Sequence, residues 1–142
     1  MIHLQLVTLS GVKFDDEVAE VLLPTLDGQI GVLTDHMPLI TVATDGIISI
    51  RRNEKDLDYK LENYAAHGGV IEINNNVLRV LVDEADNGDE INEADAKKAY
   101  YLAQKMKAEA KDQVSLENAQ KLLDRQSVRL KVAELSRHRR SR

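Results

Sequence analysis

Val80-Leu81-Val82-Asp83-Glu84-Ala85-Asp86-Asn87-Gly88-Asp89-Glu90-Ile91-Asn92-Glu93 is the stretch where the character of the chain changes. Before it, short apolar runs are broken repeatedly by turn residues. After it, neither Gly nor Pro appears through residue 142. An apolar, β-branched run thus enters an acidic, Gly-containing joint, and the joint opens a segment free of helix breakers. The reading is β followed by α: a β-domain over residues 1–86, a linker over 87–90 and a two-helix domain over 91–142.

Upstream of the joint the strand signals are dense. Ile2, Leu4 and Leu6 alternate with His3 and Gln5, the pattern of a half-buried strand. Val18 to Leu23 is an apolar run ended by Pro24, and Asp27-Gly28 marks a tight turn before Ile30 to Leu33. Leu39 to Val42 and Ile47 to Ile50 flank a turn at Asp45-Gly46. Leu57, Tyr59 and Leu61 alternate with Asp58, Lys60 and Glu62, which predicts a further strand. Asn74-Asn75-Asn76 separates Val70–Ile73 from Val77–Val82. Turn signals recur roughly every 8–12 residues, the spacing of an all-β sandwich or barrel. No helical period longer than two turns competes here.

Downstream, Asn92 is placed to cap a helix, with Glu93 and Asp95 in its first turn. Ala99, Leu102, Ala103, Met106 and Ala110 follow at helical spacing. A break is expected at Lys111–Val114, with Ser115 as a second N-cap. Leu116, Ala119, Leu122, Leu123, Leu130 and Ala133 then form an apolar stripe. Two helices of roughly twenty residues with a short connection make an antiparallel hairpin. Its stripe is rich in Ala, whose methyl supplies nearer ~0.8 kcal/mol on burial than the roughly 1.5–3 kcal/mol of Leu. Such a face docks modestly, so the hairpin is expected to be able to leave the β-domain.

Composition narrows the chemistry. The chain has 142 residues, 4 % aromatics, no Trp and no Cys. That removes disulfides, thiolate nucleophiles and Cys-ligated metals. No apolar run reaches the ~20 residues of a membrane span, and Met1-Ile2-His3-Leu4 does not resemble a signal peptide. The cytosol, or a surface facing it, is the expected location. The net charge of −5 conceals two opposed halves. Residues 1–90 hold 6 Lys/Arg and 17 Asp/Glu, whereas residues 91–142 hold 13 and 7. Either the halves serve different partners or they attract each other.

Catalytic motifs are missing. His36 beside Asp35 lacks an accompanying nucleophile signature and reads as a structural or surface residue. His67-Gly68-Gly69 lacks the GxGxxG or Walker pattern, and reads as a turn or bulge that needs glycine. HExxH-type ligand spacing is not present. The strongest signal is the basic tail. Lys121, Arg125, Arg129, Lys131, Arg137, Arg139, Arg140 and Arg142 stand against only Asp124 and Glu134, and Arg125 and Arg129 share one helix face. Residues 102–142 contain no aromatic side chain for base stacking, which disfavours nucleic acid. An acidic protein surface suits the tail better; a simply solvated face is the plainer alternative.

Val21-Leu22-Leu23-Pro24-Thr25-Leu26-Asp27-Gly28-Gln29-Ile30-Gly31-Val32-Leu33, followed by His36, Pro38 and Leu39, resembles the epsilon subunit of F-type ATP synthases. Gly46, Gly68-Gly69 before Val70–Ile73, and Val80-Leu81-Val82-Asp83-Glu84-Ala85 match in order, and the resemblance spans the chain. It implies a ten-stranded β-sandwich followed by an α-helical hairpin. It also implies a non-catalytic rotor subunit of the proton-translocating complex, held peripherally at the cytoplasmic face of a bacterial plasma membrane. The implied partners are the gamma subunit and the c ring, with the alpha/beta catalytic head met by an extended, inhibitory hairpin. On this basis Asp27, Gln29 and His36 are contact candidates, although Gln29 stands where many relatives carry an acid and Thr34-Asp35 where they carry Pro-Gly. Some relatives bind ATP through Ile/Leu-Asp-x-x-Arg-Ala. Here Ile91-Asn92-Glu93-Ala94-Asp95-Ala96 puts an acid where that Arg would meet phosphate, so no ATP binding is expected. The alternative outside this family is a free-standing β-sandwich adaptor whose basic tail binds an acidic protein.

Overall fold

In the computed structural model the N-terminal alternation becomes β1 (Ile2–Thr8), with Ile2, Leu4 and Leu6 fully buried. Residues 1–141 are described; Arg142, the last member of the basic tail, lies outside them. The further strands are β2 (Gly11–Val18), β3 (Glu20–Thr25), β4 (Gly28–Leu33), β5 (Leu39–Ala43), β6 (Gly46–Arg51), β7 (Glu62–Asn74) and β8 (Val77–Asn87). They hydrogen-bond in the order β2-β1-β8-β7-β5-β3-β4, with β6 bridging β3 and β7. The β1–β8 pair is parallel and the other pairs are antiparallel. The sheet folds over a core of Val, Ile and Leu, including Val21, Leu23, Ile48, Ile50, Ile71 and Leu78. Asn75 and Asn76, with φ of 51° and 62°, close the β7–β8 hairpin as the Asn triplet predicted.

A sharp corner decides both the strand count and the position of the hairpin. Along β7, Tyr64 and Ala66 face the core, and beyond the corner so do Ile71 and Ile73. Along β8 the core-facing residues are Leu78, Val80 and Val82, then Ala85. Inside and outside therefore exchange at Gly68-Gly69 and at Asp83-Glu84. The glycines allow it: their φ values are 52° and 146°, and a Cβ on Gly69 would lie 1.9 Å from the Leu81 carbonyl oxygen. The pairing register nevertheless runs on from His67↔Glu84 to Gly69↔Val82. The sheet thus has eight strands and not the ten implied by the resemblance, because each long strand bends at the corner without losing its ladder.

Other expectations are corrected. Leu57–Leu61 is not a strand; Asp58–Lys60 forms a 3-10 turn. Leu57 is 62 % exposed, and the segment is held by Arg51, which donates to the Asp56 carbonyl and the Asp58 carboxylate. Pro24 sits inside β3 and does not end it. It lies opposite the interval between β5 and β6, so its missing N–H costs no ladder bond, while its carbonyl accepts from Thr44 N. Strand β8 continues through Asn87 into a 3-10 turn at Gly88–Glu90.

The helices are α1 (Glu93–Glu109) and α2 (Gln113–Arg140), of 17 and 28 residues. Asn92 caps α1 by accepting from Asp95 N at 3.1 Å, as expected. The second cap is Asp112 and not Ser115. The Asp112 carboxylate accepts from Ser115 N at 2.7 Å, and these bonds hold its pKa below the ordinary value. The apolar stripe also differs in part. Leu102 and Met106 are exposed, whereas Ala96, Ala103, Ala119, Val132 and Ala133 are buried. No helix among the described residues is long and apolar enough to cross a membrane.

Candidate functional site

The hairpin lies folded on the β-domain over the outer side of the corner. Ala65 of β7, Ile91 of the joint, Ala96 of α1 and Val132 and Ala133 of α2 form one buried cluster, bordered by Ile47, Val128 and Leu130. Small residues let the backbones come close. At Gly88 an added Cβ would lie 2.0 Å from Ser136 Oγ, 2.8 Å from Val132 Cγ1 and 2.9 Å from the Val132 carbonyl oxygen. This joint accepts α2 only because residue 88 has no side chain.

Ionic contacts ring this small apolar patch. Arg129 pairs with Asp86, Arg125 with Glu84 at 3.8 Å, Arg139 with Asp89 at 3.0 Å and Arg140 with the other Asp89 oxygen at 3.1 Å. Arg137 donates to Glu93 at 2.9 Å, linking α2 to α1. Five of the seven candidate basic residues thus meet acids of β8, the joint and α1. Lys121 and Lys131 are exposed and make no ion pair among the described residues. In this conformation the acidic and basic halves attract each other, one of the two readings of the charge pattern. The pairs are partly exposed, so each contributes under ~1 kcal/mol and weakens with salt.

Two features lie within this interface. An open cleft of about 500 Å³ is lined by Glu84, Glu90, Asn92, Asp95, Arg125 and Arg129 among others. It brings together the residues on which the ATP expectation turned, and both arginines already have carboxylate partners. Next to it, His67 is 2 % exposed, and neither ring nitrogen has a hydrogen-bond partner. Burial, then the charge of Arg125, lowers its pKa below 6.5, so the ring is neutral at pH 7.

The three remaining candidates are not brought together. Asp27 and Gln29 are exposed at the β3–β4 turn. His36 is half-buried beyond the far end of β4, its Nδ1 2.7 Å from the Met37 carbonyl oxygen. At ~3.3 Å of rise per residue, β4 separates the two groups by roughly 20 Å.

Residues not singled out from the sequence form the clearest interaction surface. On the outer face beyond the corner, Val42 pairs with Val70, Val70 with Leu81, Leu81 with Val7 and Val7 with Val12. This apolar row crosses five strands. Val42, Val70, Leu81 and Val12 are 49 %, 43 %, 49 % and 62 % exposed, and Ile40 beside them is 75 % exposed. A contiguous exposed apolar row marks a protein interface. The runs Val70-Ile71 and Val80-Leu81-Val82 carried the signal, since a strand with one wet face alternates strictly.

Comparison with known proteins bears on the fold and the family. The family described as "ATP synthase, Delta/Epsilon chain, beta-sandwich domain" matches residues 1–88. The chain is 33 % identical over 132 residues to an ATP synthase epsilon chain of Gloeobacter violaceus, covering 93 % of this chain and 96 % of the relative. It is 34 % identical over 138 residues to that of Herpetosiphon aurantiacus, covering 97 % and 98 %. A chain of the Euglena gracilis mitochondrial ATP synthase superposes with a TM-score of 0.78 over 93 % of this chain and 80 % of its own length. Its sequence identity is 22 %, so that likeness speaks for the fold. The first match spans the β-sandwich and the two relatives extend through the hairpin; the chain belongs to the ATP synthase epsilon chain family.

Proposed function

We propose that this chain is a non-catalytic central-stalk subunit of an F-type, proton-translocating ATP synthase, turning with the rotor and coupling ion flow to ATP synthesis. The observation that carries the reading is the apolar row Val42-Val70-Leu81-Val7-Val12, which runs across five strands on one open face of the sandwich. The gamma subunit is its proposed occupant. The turn with Asp27 and Gln29 and the segment around His36 are proposed contacts with gamma or the c ring. In a bacterium the chain sits at the cytoplasmic face of the plasma membrane, attached only through the complex. Stable co-elution with gamma at physiological salt is the expected result. A chain that stays monomeric beside folded gamma would overturn the assignment of this face and favour a free-standing adaptor.

The hairpin is proposed to have a second, extended position in which Lys121, Arg125, Arg129, Lys131, Arg137, Arg139 and Arg140 meet acidic surface of the alpha/beta head and slow ATP hydrolysis. Support comes from the modest docked interface: an Ala-rich patch, one close approach at Gly88 and partly exposed ion pairs. A partner with a few kcal/mol of differential affinity is enough to exchange two such states. Reconstituted head should hydrolyse ATP more slowly with the full chain than with one ending at Asp89. Equal rates would remove the inhibitory role and leave the coupling one. ATP itself is not a proposed ligand of the hairpin. Glu84, Glu90 and Asp95 line the cleft, and Arg125 and Arg129 are occupied. Calorimetry should detect no micromolar ATP binding.

A further inference from the structure

We propose that His67, Glu84 and Asp86 form a site for a divalent transition-metal cation, and that this cation competes with the hairpin's arginines for the same carboxylates. The potential ligand atoms of the three residues all lie within 4.8 Å of one another. Pairing holds them in register across the corner, where His67 is opposite Glu84 and Ala65 opposite Asp86. The imidazole is the feature that points to a ligand. It is 98 % buried beside two carboxylates, and both of its nitrogens lack a partner. A buried polar group left unpaired is disfavoured, and a bound ion would satisfy it. Asp45 Oδ1, 4.0 Å from His67 Nδ1, adds a third acid at the rim.

The donor set selects the class of ion. One neutral imidazole nitrogen and two carboxylate oxygens suit Zn²⁺ or a neighbouring transition ion, whereas Mg²⁺ and Ca²⁺ prefer all-oxygen shells. Bonds of ~2.0–2.2 Å require the donors to close by roughly an ångström. Glu84 and Asp86 have side chains 56 % and 38 % exposed and can make that movement as they leave Arg125 and Arg129. The remaining coordination positions are left to water.

The same two carboxylates hold the hairpin, Asp86 through Arg129 and Glu84 through Arg125. An ion that takes their lone pairs removes two ion pairs and places positive charge beneath two guanidinium groups. Metal binding and hairpin docking therefore oppose each other, and linkage makes the effect reciprocal. The test uses the full chain, with Zn²⁺ titrated in a buffer that does not chelate it. Calorimetry should give one site. Its affinity should fall at least tenfold in His67→Ala, stay unchanged in His3→Ala, and tighten about two- to fivefold in Arg129→Ala, the range of an exposed ion pair. In the wild-type chain, imidazole ¹⁵N resonances of His67 should shift on titration, a readout that does not depend on how the variants fold. Hydrogen exchange across residues 125–136 should quicken with Zn²⁺ in the wild type and not in His67→Ala. Absent binding, loss of the site in His3→Ala, or unmoved His67 resonances would overturn the site. Binding that requires His67 but leaves α2 equally protected would overturn the competition.

Discussion

Gly88→Ala should release the hairpin without harming the sandwich. The added methyl would lie 2.0 Å from Ser136 Oγ and 2.8 Å from Val132 Cγ1, and either side chain has some room to shift. The Val132 carbonyl oxygen, at 2.9 Å, belongs to the α2 backbone and moves only with the helix. Residue 88 is not among the glycines at positive φ, so Ala brings no backbone strain of its own. What remains is overpacking at a closed contact, typically about 1–3 kcal/mol. That is a shift of roughly 5- to 150-fold from docked toward undocked. The assay is native-state hydrogen exchange across 125–136, read beside β1 and β8, with a thermal melt of the sandwich. Exchange in α2 should quicken by that factor while the strands stay protected. Ser136→Gly in the Gly88→Ala background removes the nearest clash and should restore part of the protection. Unchanged α2 protection in Gly88→Ala would refute the claim that this approach limits docking.

Three further outcomes follow from the same surfaces. Arg129→Ala breaks the Asp86 pair, whose side chains are 29 % and 38 % exposed, so α2 exchange should quicken by no more than about fivefold, and 1 M salt should bring the wild type close to the variant. Val70→Asp puts a charge in the middle of the apolar row. Association with gamma should weaken at least tenfold by gel filtration, with little change in melting temperature because the position is 43 % exposed. His3 bonds Asp15 at 2.5 Å and Glu17 at 3.3 Å, which raises its pKa. Its stabilising effect is therefore complete below pH 6.5 and is lost as pH rises through the folded-state pKa. His3→Gln should lower the melting temperature at pH 5.5 more than at pH 8.5; an equal drop at both would mean the ionic bonds contribute nothing.

Local pattern carried much of the fold. Alternation at Ile2-Leu4-Leu6, the Asn triplet and the Asn92 cap each need only neighbouring residues, and each was legible. Most of the errors lie where distant contacts decide. Leu57–Leu61 has strand periodicity but no strand beside it to complete a ladder, and Arg51 organises it as a turn. Asp112 and Ser115 are both good caps, and only the observed hydrogen bond distinguishes them. The strand count depended on whether pairing survives the corner, which requires knowing that β8 follows β7 across it. Among functional candidates, the arginines were visible as a charge run, but their partners in β8 were not, because acid and base lie some 40 residues apart. The apolar row was the least legible, since its five members come from five strands.

The basic face has a consequence for any acidic partner. In the docked chain Arg125, Arg129, Arg139 and Arg140 are already committed to Glu84, Asp86 and Asp89. A partner must therefore replace those contacts, and only the difference between the two sets of ion pairs favours release. Swapping one exposed carboxylate for another yields little net free energy, so charge alone is a weak trigger. Apolar surface supplies the larger difference. Leu102, Met106, Val114 and Leu116 are 58 %, 43 %, 68 % and 38 % exposed when the hairpin is folded down. Burying the part of two of them that is still exposed contributes roughly 1.5–3 kcal/mol on a partner, more than an exchange of exposed ion pairs supplies. In the proposed extended state the arginines would then set register and salt dependence, and the exposed leucines, methionine and valine would determine how far that state is populated. Replacing Leu102 and Met106 by Ser should then relieve inhibition at every salt concentration, whereas Arg129→Ala should relieve it mainly at low salt. Hydrolysis rates that respond only to the arginine change would reverse that assignment.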